Sequence, residues 1–412
     1  MTRRRLSVIS HVSPVPGASG QSQRVLHTLA AARHRFHVRF VTTERPGERE
    51  IQRDELASLC DELVLLPARR TDRSLQRRIA AALYVAFTGL KPSNYWIGRL
   101  EFSPTRVQSA VRRDNCDCAL FEYWHAWRAA EALRLAGVPA VVDTHNVLAA
   151  SYQELLRAQR LVPAPLRSYA LSRYAHAERT AWRAFDALIA INRDEYQQIR
   201  DSVPSDHAVF YAPMGIDLSR WPYCWRPESP PRVAYYGGMG SPRNQSSAIE
   251  CLRQVMPTVW ASHPDARLWI VGSNPPPTIR NLEADARVRV TGFVDEVGPL
   301  LGTMSVVLCP FSGTYGFRSR VVEVLAAGAP MVAFHDAVAG MDLVHGDGIS
   351  LVSSYEEMTR RCIELLSEPE RAASQSVAGR RRVEAIYSME ATYGRLMAEL
   401  DGWLDARSRR CS

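Results

Sequence analysis

Short apolar runs alternate along the chain with longer stretches whose apolar positions recur every three or four residues. Runs such as LSVIS (6–10) and HVRFVTT (37–43) are too short for helices and show little in-out alternation. They predict strands covered on both faces. GQSQRVLHTLAAARH (20–34) instead places Val25, Leu29 and Ala32 on one face of a helix. Further strands are predicted at DELVLLP (61–67), CALFEYW (118–124), PAVVDTH (139–145), DALIAIN (186–192) and HAVFYAP (207–213), with long helices over about 147–185.

The pattern breaks at WPYCWRPESPPR (221–232), which is rich in proline and tryptophan and has no period. It then restarts with RVAYYGG (232–238), ARLWIVGS (266–273), RVRVTGF (287–293), SVVLCPF (305–311), PMVAF (330–334) and GISLV (348–352), again with helical stretches between. Strands that alternate with helices imply parallel sheets with both faces covered. The predicted class is therefore α/β, with two Rossmann-like doubly wound domains facing a cleft. The expected division is an N-terminal domain over 1–220, a linker over 221–231, a C-terminal domain over 232–385, and a helix and tail over 386–412. A length of 412 residues suits two domains better than one.

Composition narrows the class of partner. The net charge is +8 and Lys91 is the only lysine, so nearly all the positive charge is arginine. The arginines are scattered, without aromatic interleaving, so no nucleic-acid partner is expected. The eight cysteines offer no CxxC pair or Cys/His cluster with zinc spacing, which fits buried thiols in a reducing compartment. The basic N-terminus has too short an apolar core for a secretory signal, and Ile79–Leu90 is too short to span a bilayer. The expected location is the cytoplasm, possible contact being confined to the inner face of the cell membrane.

The densest chemistry lies in PFSGTYGFRSRVVEVLAAGAPMVAF (310–334). A strand ends at Phe311, Gly313 and Gly316 turn the chain, and a helix is predicted from about Phe317. A helix N-terminus offers unpaired N–H donors and a positive dipole end. Arg318 and Arg320 add cations where the dipole disfavours them, unless an anion is bound nearby. Glu323, one turn on, can accept from the vicinal hydroxyls of a ribose. The content is that of a grip for a nucleoside diphosphate.

This segment resembles the donor-binding signature of glycosyltransferase family 4, which carries Glu followed by Ala-x-Gly-x-Pro-Val-Val. Glu323, Ala326, Gly328, Pro330 and Val332 stand in the matching places. The form with Gly-x-Arg-x-Lys before the glutamate occurs in bacterial sugar transferases of surface polysaccharide systems; here it reads Gly316, Arg318, Arg320. Tyr315 replaces a second glutamate that many members carry, so the usual sugar contacts are altered. RVAYYGGMGSPRN (232–244) is similar to the family's first C-domain strand and glycine loop. The resemblance places Gly237, Gly238 and Arg243 at the diphosphate, and the backbone at Val294 at the base.

On the N-terminal side, SPVPGASGQSQRV (13–25) resembles the family's first loop, with Gly17 and Gly20 approaching phosphate or acceptor. His145 follows a strand end, where the family has a histidine that contacts the transferred sugar. Glu122 and His125, at the end of another strand, are expected to face the acceptor, and Asp143 to be structural. The resemblance implies the GT-B fold, with C-terminal helices packing back on the N-domain. It implies transfer from a UDP- or GDP-sugar to a glycan or lipid-linked acceptor, with retention. No Asp-x-Asp motif is present, so arginine is expected to replace a metal ion, and no cofactor is expected. Residues 68–99, basic and then apolar, are candidates for contact with an anionic membrane. A GT-B-fold epimerase and a catalytically inactive nucleotide-sugar-binding partner are the alternatives. A pyridoxal-phosphate phosphorylase is excluded because Lys91 lies outside the motif-bearing half.

Overall fold

The computed structural model describes residues 3–411 apart from 16, 18, 45–49, 70–73, 113–114, 159–161 and 314–315. Tyr315 therefore lies outside the described residues. The chain forms two compact units, the first comprising residues up to Met214 and again from Thr392, with 315–317; the second is Gly215–Thr314 with Arg318–Ala391.

The first unit is built on seven strands: β1 (Arg5–Ile9), β2 (His37–Thr43), β3 (Glu62–Leu66), β4 (Cys118–Glu122), β5 (Ala140–Asp143), β6 (Ala187–Ala190) and β7 (Ala208–Tyr211). They form one sheet in the order β3-β2-β1-β4-β5-β6-β7, and every pairing is parallel. All described residues of β4, β5 and β6 are buried, as continuous apolar runs require when helices cover both faces. Four helices of this unit matter below: α1 (Gly20–Arg33), α2 (Leu75–Thr88), α3 (Leu148–Ala158) and α4 (Ala164–Trp182).

The second unit holds β8 (Arg232–Tyr236), β9 (Arg267–Val271), β10 (Val288–Gly292), β11 (Val306–Cys309), β12 (Met331–Phe334) and β13 (Ile349–Val352). Their order is β10-β9-β8-β11-β12-β13, again parallel throughout. Its functional helices are α5 (Pro242–Glu250) and α6 (Ser319–Ala327). The segment after Trp221 packs onto this unit. Trp225 donates to the Met304 carbonyl at 2.9 Å, and a Cβ at Gly302 would stand 2.6 Å from the Cys224 sulfur.

The last helix, α7 (Arg395–Cys411), returns to the first unit. Leu396, Met397, Leu400 and Leu404 are buried there, and Trp403 meets Phe210 edge-on. Arg4 pairs with Asp401 and Asp405, and Arg407 with Asp186 at 3.0 Å. The two sheets confirm the doubly wound parallel class.

Both sheets have a switch point, where the loops leaving neighbouring parallel strands diverge. Ligands of open α/β sheets sit in the crevice this opens at the strands' C-terminal ends. In the second unit it lies between β8 and β11, and in the first between β1 and β4.

Candidate active site

At the switch point of the second unit, the loop after β8 carries Gly237 and Gly238, and the loop after β11 runs from Pro310 to Arg318 into α6. Arg320, in the first turn of α6, reaches back to β8. Its Nη1 donates to the Asn244 side-chain oxygen at 3.1 Å, the Tyr236 carbonyl at 3.4 Å and the Tyr235 hydroxyl at 3.4 Å. Glycine at 237 makes room for this: a Cβ there would stand 2.5 Å from that Nη1. Gly272 serves the same loop, because a Cβ there would come within 1.9 Å of the Gly237 carbonyl oxygen. The Gly237 N–H is bound to the Val271 carbonyl at 3.0 Å. Gly237 therefore contributes space rather than a donor.

Asn244 holds the arrangement together. Its amide nitrogen donates to the Gly238 carbonyl at 2.7 Å while its oxygen accepts from Arg320 and, at 3.2 Å, from Tyr235. One buried amide thus ties the β8 loop to the α6 arginine. Glu323 lies one turn further along α6 and accepts from the Tyr236 hydroxyl at 2.7 Å. Burial pushes its carboxyl above the usual carboxylate range, against the Tyr236 and Ser319 hydrogen bonds and the charge of Arg320. Burial likewise pushes the Tyr236 phenol up, so it stays a donor to Glu323.

Arg318 departs from its expected place at the diphosphate. It is the N-cap residue of α6 and only 6% exposed, with its guanidinium 4.0 Å from the Phe311 ring centre and donating to the Gly313 carbonyl. Asp336 accepts from the Gly313 N–H at 2.8 Å. Arg318 therefore braces the loop that leads to α6, because a desolvated cation needs the carbonyl and the ring. Helix α6 begins at Ser319, two residues later than the periodicity predicts. Gly316 takes the left-handed backbone, with φ 73°, that turns the chain into it. Arg243, on the first turn of α5, donates to the Ser312 carbonyl at 3.4 Å and lies 5.4 Å over Phe311. Val294 follows β10 at the same end of the sheet. Arg320, Arg243 and the α6 N-terminus thus border the loops after β8 and β11, which is a setting for a diphosphate.

In the first unit, His145 follows β5 with φ 56°, unusual for a side-chain-bearing residue. Its Nε2 contacts the Glu122 carboxylate at the end of β4, and its ring stacks on Tyr123 at 4.1 Å. Tyr123 also has positive φ, 74°. Both are non-glycine residues with left-handed backbone at the ends of neighbouring strands. Asp143 is structural: Arg24 donates to both its oxygens, and it accepts from the His145 N–H at 3.1 Å. The guanidinium of Arg24 also faces Tyr393 at 5.7 Å, which links α1, β5 and the C-terminal segment.

Of the two residues expected to face the acceptor, Glu122 is buried and His125 is partly exposed. Glu122 is 3% exposed, bound to His145 and opposite Asp143 in the parallel register. His125 packs on Trp124 and His11 and is pushed down to about 3, first by burial and then by Lys91, so it is neutral near pH 7. Gly17 has φ 72°, and Gly20 opens α1 behind the Ser19 cap, which accepts from Ser22 N–H at 3.1 Å.

Glu122, Asp143 and His145 offer ligand atoms within 4.8 Å of one another, the spacing a metal ion needs. Asp143 is already held by Arg24 and Glu122 by His145. A cation there would have to displace both pairs beside a buried guanidinium, so the donor set fits a metal poorly. Asn244, Tyr235, Tyr236 and Arg24 were not singled out from sequence. Arg24 carried a signal, as a charge within the apolar period of α1; the other three read as ordinary strand and helix residues.

Family models match both halves of the chain. The model described as glycosyl transferase 4-like domain matches residues 19–215, and that of glycosyl transferases group 1 matches 230–368. A phosphatidyl-myo-inositol mannosyltransferase of Propionibacterium freudenreichii is 31% identical over 126 residues, which is 29% of this chain and 31% of that protein. A GDP-mannose-dependent monoacylated alpha-(1-6)-phosphatidylinositol monomannoside mannosyltransferase of Corynebacterium glutamicum is 26% identical over 240 residues, 51% of this chain and 61% of that one. The chain thus aligns with a third to three fifths of the curated relatives' length. Among solved structures, sucrose-phosphate synthase of Thermosynechococcus elongatus superposes with a TM-score of 0.65 at 18% identity, over 100% of both chains. Anabaena Alr3699/HepE in complex with UDP and glucose gives 0.63 at 15%, over 97% of this chain and 100% of that one. With both halves matched, their two parallel sheets and the Glu323 signature in place, this chain belongs to the family 4 glycosyltransferases of GT-B fold.

Proposed function

We propose that the protein transfers a sugar from a nucleoside-diphosphate donor to a hydroxyl of a glycan, glycolipid or lipid-linked acceptor, with retention of anomeric configuration. The observation that carries this is the Arg320–Asn244–Gly237 arrangement, a cation held by neutral acceptors at the switch point where a diphosphate would lie. When the donor bond breaks, negative charge grows on the leaving phosphate and positive charge on the sugar ring. Arg320 is aimed from α6 with its orientation already fixed, so little reorganisation is needed as that charge develops. Arg243 supplies a second cation. Glu323, braced by Tyr236, grips the ribose hydroxyls, and the backbone beyond β10 at Val294 borders the base.

In the first unit, the Glu122 carboxylate fixes one nitrogen of His145, which leaves the other edge of the ring for a hydroxyl of the transferred sugar. No metal is assigned to the reaction, since the arginines supply the phosphate's counter-charge. The donor is a UDP- or GDP-sugar. The names of the mannosyltransferase relatives give phosphatidylinositol and its monomannoside as acceptors, which supports a lipid-linked acceptor and the assembly of surface glycolipid or polysaccharide. Peripheral contact with an anionic membrane through residues 68–99 belongs to the same reading; 70–73 lie outside the described residues.

Arg320→Ala tests the reading. Loss of one preorganised donor to a developing oxyanion costs about 3–4 kcal/mol, so turnover falls about a hundredfold or more. Release of nucleoside diphosphate from labelled UDP- and GDP-sugars measures it. Unchanged turnover in the variant would remove Arg320 from the chemistry.

A further inference from the structure

One carboxylate of the first unit ties the loops after β4 and β5 together. Glu178, near the end of α4, is 1% exposed. Its Oε1 accepts from the Trp124 indole N–H at 3.0 Å and the Leu148 N–H at 2.8 Å, and its Oε2 from the Ala149 N–H at 2.9 Å. Trp124 directly follows Tyr123 in the loop after β4. Leu148 and Ala149 open α3, at the end of the loop that carries His145. All these residues belong to the first unit. Val147, the position before α3, has no side-chain acceptor, so the first N–H groups of the helix find theirs on another helix, 30 residues away.

The two loops need such a brace. Tyr123 and His145 both have positive φ, and their rings stack at 4.1 Å. Residues that bear side chains keep such a backbone only where the surrounding structure over-determines it. Glu178 fixes the chain at the residue after Tyr123 and again a turn after His145. Trp124, itself 1% exposed, is also packed edge-on by Tyr174, one turn before Glu178 on α4, with ring centres 5.7 Å apart.

A carboxylate accepts at both oxygens and so suits three N–H donors, whereas an amide in its place turns one oxygen into a donor that opposes one of them. Burial pushes this acid up to about 7, so holding it ionised costs stability. A stability cost at the junction of two loops of the site fits a part in function rather than in folding. We propose that Glu178 is a positioning residue, which holds the Tyr123 and His145 loops so that the His145 ring meets the transferred sugar in one orientation. This deepens the proposed function and rests on the sugar contact given there to His145.

Glu178→Gln in the full-length protein tests it, read by steady-state kinetics and by nuclear magnetic resonance of imidazole-labelled protein, the His145 signal being assigned by its loss in His145→Ala. Displacement of the loops should lower kcat about tenfold to a hundredfold and leave KM for the nucleotide-sugar within about twofold. The His145 signal should shift, while those of His263, His335 and His345 in the second unit stay in place. The melting temperature at pH 8 should not fall, because the amide removes the cost of ionising a buried acid. Trp124→Phe, which removes one donor and keeps a ring, should act in the same direction by less, and it carries the same readouts if Glu178→Gln does not fold. Three results would overturn the proposal: an unmoved His145 signal, an unchanged kcat in both variants, or a loss of kcat that comes with a lower melting temperature. The His145 signal is read without turnover, so it decides the positioning role even in a protein that transfers no sugar. Absence of nucleotide-sugar turnover by wild type removes the glycosyl-transfer reading instead.

Discussion

Arg320 illustrates what single residues reveal and conceal. Its place three residues before Glu323 marks it as a donor-site cation in the sequence, but the means of holding it do not show there. The Asn244 amide accepts from Arg320 and donates to Gly238, so it sets the arginine's aim. Asn244→Ala should therefore lower kcat by about tenfold or more, consistent with loss of a buried hydrogen bond to a charged group worth about 1.5–3 kcal/mol. Donor affinity should change less, which steady-state kinetics with separate kcat and KM would show; an equal loss in both would give Asn244 a merely structural part. Arg318 is the opposite case. Its spacing puts it at the diphosphate, whereas the structure buries it on Phe311, because motif spacing says nothing of which rotamer is packed.

At the scale of elements, every predicted strand is present, within a residue or two at each end. Parallel strands buried on both faces write continuous apolar runs, and such runs are hard to mistake. Helices are less legible where tertiary packing sets their ends. Helix α6 starts at Ser319 because buried Arg318 takes the cap position. Helix α2 is apolar on both sides, with Ala81 buried and Tyr84 packed on the core while Ile79, Leu83 and Phe87 are exposed, so periodicity alone cannot orient it. The β4 and β5 ends show the same limit: sequence placed Glu122 and His145 at strand ends but did not pair them. That pairing, with Arg24 on Asp143, occupies the group closest to a metal site. Activity should accordingly be unchanged by EDTA in the nucleoside-diphosphate release assay. Strong loss that added divalent cation restores would assign these side chains, or the donor phosphates, a metal.

The whole molecule carries a pH dependence that its sites do not explain. Burial pushes Glu178 up to about 7, although Trp124, Leu148 and Ala149 donate to it. Burial pushes Glu195 up to about 7 as well. An unfolded glutamate titrates near 4.3, so between about pH 4.3 and 7 the folded state holds protons that the unfolded state has lost. Stability therefore falls as pH rises through that window, and the cost is complete above the folded value, of order 3 kcal/mol per group. The melting temperature should be lower at pH 8 than at pH 5.5, and Glu195→Gln should flatten that slope. A melting temperature that does not fall over this range would contradict the assignment. Neither glutamate stands out in the sequence, since their burial arises from strands and helices far apart in the chain.

On the proposed function, the second unit binds a nucleoside diphosphate through Glu323 and Arg320. The most direct test is a thermal-shift panel of UDP-, GDP-, dTDP- and ADP-sugars on wild type and Glu323→Ala. One nucleotide family should stabilise the wild type, by about 2.7 kcal/mol at a hundred times its Kd, and lose that effect in the variant. Equal stabilisation of both proteins, or none of wild type by any donor, would contradict it.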